Sequence, residues 1–410
     1  MALERPLAQS PPAQSPRTVP GSPTVPGSPT RWLELALLLP RVIGFVGRAS
    51  RADADRVAPP LRPTPLAVAG VLFDDLASTM QYVLSGDTAA HFDMARVDDA
   101  ARILDSRGDL ADPAALHPAP PAPQPDETGL STRRLGHKVF EHLIFPSRYE
   151  PPAGLPGRDE WLADESNALA HAYVLEHDDD RTRPWVVNLH GAGVGSPIDL
   201  QWMGSFALSR DLGVNVIHPV LPKHGPRQSS RGLTYPSPDG LVNFYAFSQA
   251  IWDVRRTIAW LRARGATTIG VHGVSLGGYV GALLAGLEDG LDCVVAGLPP
   301  SDIPSLVVSH ATRYRGVADT AAEVEAGASQ QLNQLVSPLA FAPHLSRDRL
   351  NIYAAVGDRI STPEQAGALW NHWGEPEICW IQGSHFPSSL FGPARRFVRD
   401  ALTRGGVSAA

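Results

Sequence analysis

The sequence predicts an α/β fold: an eight-stranded, mostly parallel sheet with helices on both faces, carrying a helical N-terminal extension. Three observations lead there. From about residue 133, short β-runs alternate with helical patterns, the order that builds a parallel sheet. Several of these runs, such as Val214–Val220 and Cys293–Leu298, are continuously apolar, as strands covered on both faces are. Before that point, residues 31–115 space their apolar residues helically instead.

In chain order, residues 1–30 are rich in Pro and Ser and contain V-P-G-S-P-T twice, so they read as a disordered tail with too little apolar surface to offset ordering. Residues 31–115 form the helical N-terminal extension, with clear periodicity over Ala67–Leu84 and Val97–Leu104. Within it, 32–46 is apolar but interrupted by Glu34, Pro40 and Arg41, and is shorter than the ~20 apolar residues a spanning helix needs. The readings open to it are docking on the protein's own surface, peripheral contact with a membrane, and, were the true start further downstream, an export signal. The first thirty residues lack a basic stretch followed by an apolar one, so no ordinary signal peptide is visible and a cytoplasmic, possibly membrane-touching location is the expectation. Residues 116–132 are a Pro-rich linker or strap.

The expected main domain spans 133–405. Its strands are Lys138–Pro146, Ala168–Leu175, Trp185–Leu189, Val214–Val220, Thr267–His272, Cys293–Leu298, Asn351–Val356 and Ile378–Gln382. Its helices are Leu200–Arg210, Val242–Arg264, Leu276–Leu287, Ala321–Leu335, Pro363–Trp373 and Phe391–Leu402. A helical insertion at about 300–348 follows the sixth strand.

At 410 residues and 43% hydrophobic, the chain can bury a sizeable core. Its formal net charge of −7 comes with no basic block, which argues against a nucleic-acid partner. The two cysteines, Cys293 and Cys379, sit in separate apolar runs and read as small buried hydrophobes in a reducing compartment. No ligand spacing such as H-E-x-x-H appears, so metal-dependent hydrolysis is not expected.

The chemistry concentrates in G-V-S-L-G, Gly273–Gly277, placed after one predicted strand and before a helix. A serine on so sharp a turn projects its hydroxyl out of the fold, and Gly273, Gly277 and Gly278 give the turn room. The helix that begins at the serine favours negative charge developing there. A serine hydroxyl needs a base, and the base an orienting carboxylate. Asp358 in V-G-D-R-I-S and His385 in Q-G-S-H-F each follow a late strand, in the order acid then histidine. Other readings stand beside these: Asp358 as a cap for the helix near Pro363, Asp302 as a rival acid, His385 as a surface histidine. His272, within a strand, and His372, within a helix, are not placed to act as base. Two inward-facing amides are needed for an oxyanion: that of Leu276, and one from N-L-H-G-A-G, with Ala192 favoured and Gly191 the alternative.

With these motifs, the chain resembles the α/β-hydrolase superfamily over roughly residues 133–403. H-G-A-G resembles its oxyanion loop, G-V-S-L-G-G its nucleophile elbow, V-G-D its acid loop and G-S-H its histidine loop. The doubled glycine is similar to the dienelactone-hydrolase and prolyl-oligopeptidase-like branches, and L-P-K-H-G-P-R resembles the H-G turn after the fourth strand. The resemblance implies an α/β-hydrolase fold whose 300–348 insertion is a lid, a cofactor-free route through an acyl-enzyme on Ser275, and His190 and His224 as walls of the site. It also disfavours epoxide or haloalkane hydrolysis, since those relatives carry Asp at the elbow. The expectation is therefore an esterase or thioesterase for a small or medium apolar acyl substrate. An acyltransferase, peptidase or amidase on the same site, and a non-catalytic binding protein, are the alternatives.

Overall fold

The structure, a computed structural model, describes residues 29–51, 56–84, 94–177, 183–229, 235–237, 239–314, 327–388 and 392–409. The Pro/Ser-rich repeat of the tail and the first part of the predicted helix Ala321–Leu335 lie outside the described residues.

One sheet organises the chain, in the order β1-β2-β3-β5-β4-β6-β7-β8-β9. Its strands are β1 Gly129–Leu135, β2 Lys138–Pro146, β3 Leu169–Leu175, β4 Trp185–Leu189, β5 Asn215–Val220, β6 Ile269–Val274, β7 Cys293–Gly297, β8 Leu350–Ala355 and β9 Glu377–Ile381. From β5 outward through β4 to β9 all pairings are parallel, while β1, β2 and β3 run antiparallel at the other edge. The count is nine rather than the expected eight. The additional strand, β1, has almost no buried side chain and is held by its ladder to β2, with Leu135 opposite Lys138 across a turn at Gly136 (φ 59°).

The apolar runs explain the two-sided cover. Along β7, Val294 and Ala296 face one core while Cys293 and Val295 face the other. The first core takes helices Gly240–Ala263, Leu276–Ala285, Ala328–Gln334 and Pro363–His372, together with Met94–Ser106 from the extension. The second takes Ser205–Leu212 and Gly392–Arg404. The predicted helix Leu200–Arg210 is split into Asp199–Trp202 and Ser205–Leu212, because Gly204 adopts a left-handed conformation (φ 74°) between them.

The rest of the extension covers the ends of β8 and β9. Helices Leu38–Ala49 and Pro65–Leu84 form a small third core in which Leu38, Val42, Leu61 and Val71 pack with Val356, and the helix Pro29–Ala36 lies against both. Leu33 of Pro29–Ala36 and Leu39 and Ile43 of Leu38–Ala49 remain exposed, Ile43 at 71%. No helix among the described residues is long and apolar enough to cross a membrane. The Pro-rich segment is strapped down, with Arg255 donating to the carbonyls of His117 and Pro118 and Arg256 to that of Pro121.

The turn after β5 is pinned by a buried ion pair. Arg227 Nη2 lies 2.7 Å from Asp253 Oδ2, Arg227 Nη1 donates to the Val220 carbonyl, and Ser147 donates to the other Asp253 oxygen. Both charges are shut off from water, so removing one strands the other. Asp253→Ala is expected to cost about 3–5 kcal/mol in urea unfolding; a midpoint within error of the parent would show the pair to be energetically idle.

Candidate active site

Sheet order brings the site together. The chain leaves β4, adds β5 on one side, then crosses back through Gly240–Ala263 to place β6 on the other. The crevice beyond the carboxyl ends of β4 and β6 is therefore a topological switch point, where open α/β sheets hold their ligands. His190–Gly193 leave β4 there and Ser275 leaves β6.

Ser275 sits at φ 56°, ψ −117°, a conformation that costs a residue with a Cβ and persists only where its surroundings enforce it. They do so through crowding. A Cβ at Gly273 would collide with the Gly277 carbonyl, one at Gly277 with the Leu189 carbonyl, and one at Gly278 would lie 2.7 Å from the Gly297 oxygen. The Ser275 amide donates to Gly297 (2.8 Å), tying the turn to β7. The helix Leu276–Ala285 starts at once, so the Leu276 amide belongs to a first turn with no acceptor inside the helix.

Asp358 and His385 follow β8 and β9, two and three strand spacings from β6, so their loops reach back across the sheet. His385 Nε2 lies 3.0 Å from Ser275 Oγ, and its Nδ1 2.7 Å from Asp358 Oδ2. The other Asp358 oxygen accepts from the amides of Ile360 and Ser361, both at 2.8 Å, which fixes the carboxylate's orientation. With Nδ1–H given to the carboxylate, the Nε2 lone pair faces the serine hydroxyl. Burial alone would lower the His385 pKa. The Asp358 charge, its hydrogen bond and the nearby Asp74 charge outweigh burial and hold it above the usual imidazole value.

The alternatives expected from the sequence fall elsewhere. Asp302 caps the helix Ile303–Ala311, accepting from the Ser305 amide. His272 is bonded to Asn188 Oδ1 and Tyr353 Oη, and His372 to the Phe341 carbonyl. The residue capping the helix at Pro363 is Thr362, not Asp358.

The loop after β4 lies against the serine: a Cβ built on Gly191 would be 3.6 Å from Ser275 Cβ. Ala192 is exposed at the tip of the turn, and Asp199 accepts the amides of Gly195 and Ser196 to hold the loop. His190 receives the Leu221 amide on Nε2 and so donates Nδ1–H to the Gly191 carbonyl. Burial, then the neighbouring His224 and His218, push its pKa well down, keeping it neutral. His224 donates Nδ1–H to Pro222, and burial lowers its pKa too; the two rings stand 5.1 Å apart.

One residue beside this candidate site was not foreseen from the sequence. Asp74, in the extension helix Pro65–Leu84, accepts the backbone amides of His385 and Arg359. The available signal was a pair of carboxylates, Asp74 and Asp75, inside an apolar run without a basic partner; nothing local says where they dock.

No protein-family model matches the chain. It is 34% identical over 310 residues to the uncharacterized protein MT2702 of Mycobacterium tuberculosis (strain CDC 1551 / Oshkosh), covering 74% of this chain and 73% of that protein. It is 35% identical over 294 residues to the uncharacterized protein Rv2627c of strain H37Rv, covering 70% of each. Among solved structures, acetyl xylan esterase 1 from Thermoanaerobacterium sp. JW/SL YS485 superposes with a TM-score of 0.50 at 16% identity, over 72% of this chain and 93% of that one.

Proposed function

The chain belongs to the family of these two mycobacterial proteins and has the α/β-hydrolase fold, and from that premise we propose that it is a serine hydrolase cleaving a carboxylic ester or thioester of small or medium acyl length. The observation that carries this reading is the continuous run from the strained Ser275 through His385 to a buried, doubly braced Asp358.

In this reading, His385 Nε2 takes the hydroxyl proton as Ser275 Oγ attacks the carbonyl carbon. The oxyanion that forms is met by the amide of Leu276 and by that of Ala192 or Gly191. The imidazolium then passes its proton to the departing alkoxide or thiolate as the bond to the carbonyl carbon breaks, leaving acyl-Ser275. Water, deprotonated by the same nitrogen, releases the acid and restores the serine. Asp358 remains a carboxylate throughout, holding the ring and stabilising its transient charge. His190 and His224 stay neutral and line the wall.

A fluorophosphonate should label the wild-type chain with one equivalent on the peptide bearing Ser275. A panel of p-nitrophenyl esters graded in acyl length should show turnover with an optimum, reported by released nitrophenolate. A chain that takes up no label and turns over no ester between pH 6 and 9 would not be a serine hydrolase.

A further inference from the structure

We infer that Asp74, carried on the N-terminal extension, is a positioning residue for the catalytic machinery: one buried carboxylate that ties the histidine loop and the acid loop together and completes the site from outside the hydrolase core. The inference rests on the serine-hydrolase reading of Ser275, His385 and Asp358.

The geometry is specific to those loops. Asp74 is wholly buried. Its Oδ2 accepts the amide of His385 (2.8 Å) and that of Arg359 (3.2 Å), the residue after Asp358; its Oδ1 lies 3.4 Å from the Phe386 amide. The backbone of the base and the backbone next to the orienting acid thus share one anchor. Close approach of the extension is built in: a Cβ on Gly357 would sit 2.7 Å from the Gly383 oxygen and 3.0 Å from Val71 Cγ2, three residues before Asp74. Only a residue without a side chain at 357 lets both loops and the helix meet.

Holding the extension in place does not require Asp74. Its neighbour Asp75 already pairs with Arg359 Nε at 2.8 Å and faces Arg313 at 3.8 Å, Arg41 bridges Glu34 and Thr79, and Leu61 and Val71 pack on Val356. A second buried carboxylate placed beside Asp358 costs free energy that an apolar side chain would not. What it supplies is a carboxylate that accepts from three backbone amides of the two loops, and a negative charge near the imidazole, where it helps His385 keep its proton.

The groups facing Asp74 are Asp358 and His385 from the two loops, with the Arg359 amide beside them; around these, Asp75 on its own helix faces Arg359 and Arg313, and His310 of the helix Ile303–Ala311 donates to the Ile360 carbonyl. Burial, then Asp358, push the Asp74 carboxyl up to about 6, against the lowering pull of His385 and the amides. Near neutrality it is therefore mostly charged, and it loses that charge on mild acidification.

The test uses the full chain and compares wild type with Asp74→Asn and Asp75→Asn, reading kcat, KM, the pH profile of kcat/KM, fluorophosphonate labelling and Tm. Asn keeps one acceptor oxygen but no charge. Asp74→Asn is expected to lower kcat about 10- to 100-fold with KM little changed, as small misplacements of a catalytic group do, and to move the acid limb to lower pH. Asp75→Asn, which breaks the Arg359 pair, is expected to lower Tm while leaving the acid limb where it is in wild type. Should Asp74→Asn fail to fold, Asp74→Ser, smaller and still an acceptor, carries the same expectation. A wild-type chain labelled at Ser275 beside an Asp74 variant of unchanged kcat and acid limb would overturn the inference and leave the hydrolase reading standing. A wild-type chain that never labels would remove that reading, and the inference with it.

Discussion

Replacing Ser275 by alanine is expected to lower kcat by about six orders of magnitude and to abolish fluorophosphonate labelling, with Tm nearly unchanged. The size follows from the proposed reaction, in which the three side chains share one task. Without the oxygen there is no acyl-enzyme, and a neutral His385 beside Asp358 has no proton to take, so the remaining rate reflects binding and amide donors alone. The fold should hardly notice, because what shapes the turn is backbone: the Ser275 amide bonded to Gly297, and the glycines at 273, 277 and 278. Turnover with the preferred p-nitrophenyl ester, labelling and a thermal melt on the same preparations give the three readings. A labelled alanine variant would put the nucleophile somewhere else.

Asp358→Asn is expected to lower kcat by about 10⁴-fold, since an amide that donates toward His385 Nδ1 favours the tautomer whose Nε2 carries the proton and cannot act as base. The same substitution has a signature in pH. The base works only when neutral, so kcat/KM falls as pH drops through the His385 pKa. In wild type that value is raised: burial lowers it, and the Asp358 charge and hydrogen bond, with Asp74, more than reverse this. Removing the Asp358 charge leaves burial less opposed, so the acid limb of the residual activity should shift to lower pH. A limb that stays put, or a loss below tenfold, would mean that some other group orients the imidazole.

Much of this site could be read along the chain because α/β sheets put function at predictable places. Ser275, Asp358 and His385 each directly follow an apolar run, and a run covered on both faces is conspicuous in sequence. β6, β8 and β9 end within a residue or two of where those runs end. β1 was hidden for the opposite reason. G-L-S-T-R-R-L has neither a continuous run nor a buried face, and only its pairing with β2 makes it a strand. The break at Gly204 is a backbone choice that a helical pattern with one glycine does not declare. Asp74 could not be located at all, since its role depends on where a helix docks against loops more than 280 positions away, and docking is set by Val356, Leu61 and Val71 packing rather than by any motif.

The contact between Asp74 and His385 spans 311 positions, while Ser275 and His385 are 110 apart. Closing loops of that size is slow relative to local structure, because chain entropy is surrendered before the contacts reward it. During synthesis the elbow with its serine emerges well before the imidazole proposed to activate it. A half-made or locally opened chain therefore presents an ordinary alcohol, and on the proposed reading its reactivity waits until distant segments have met.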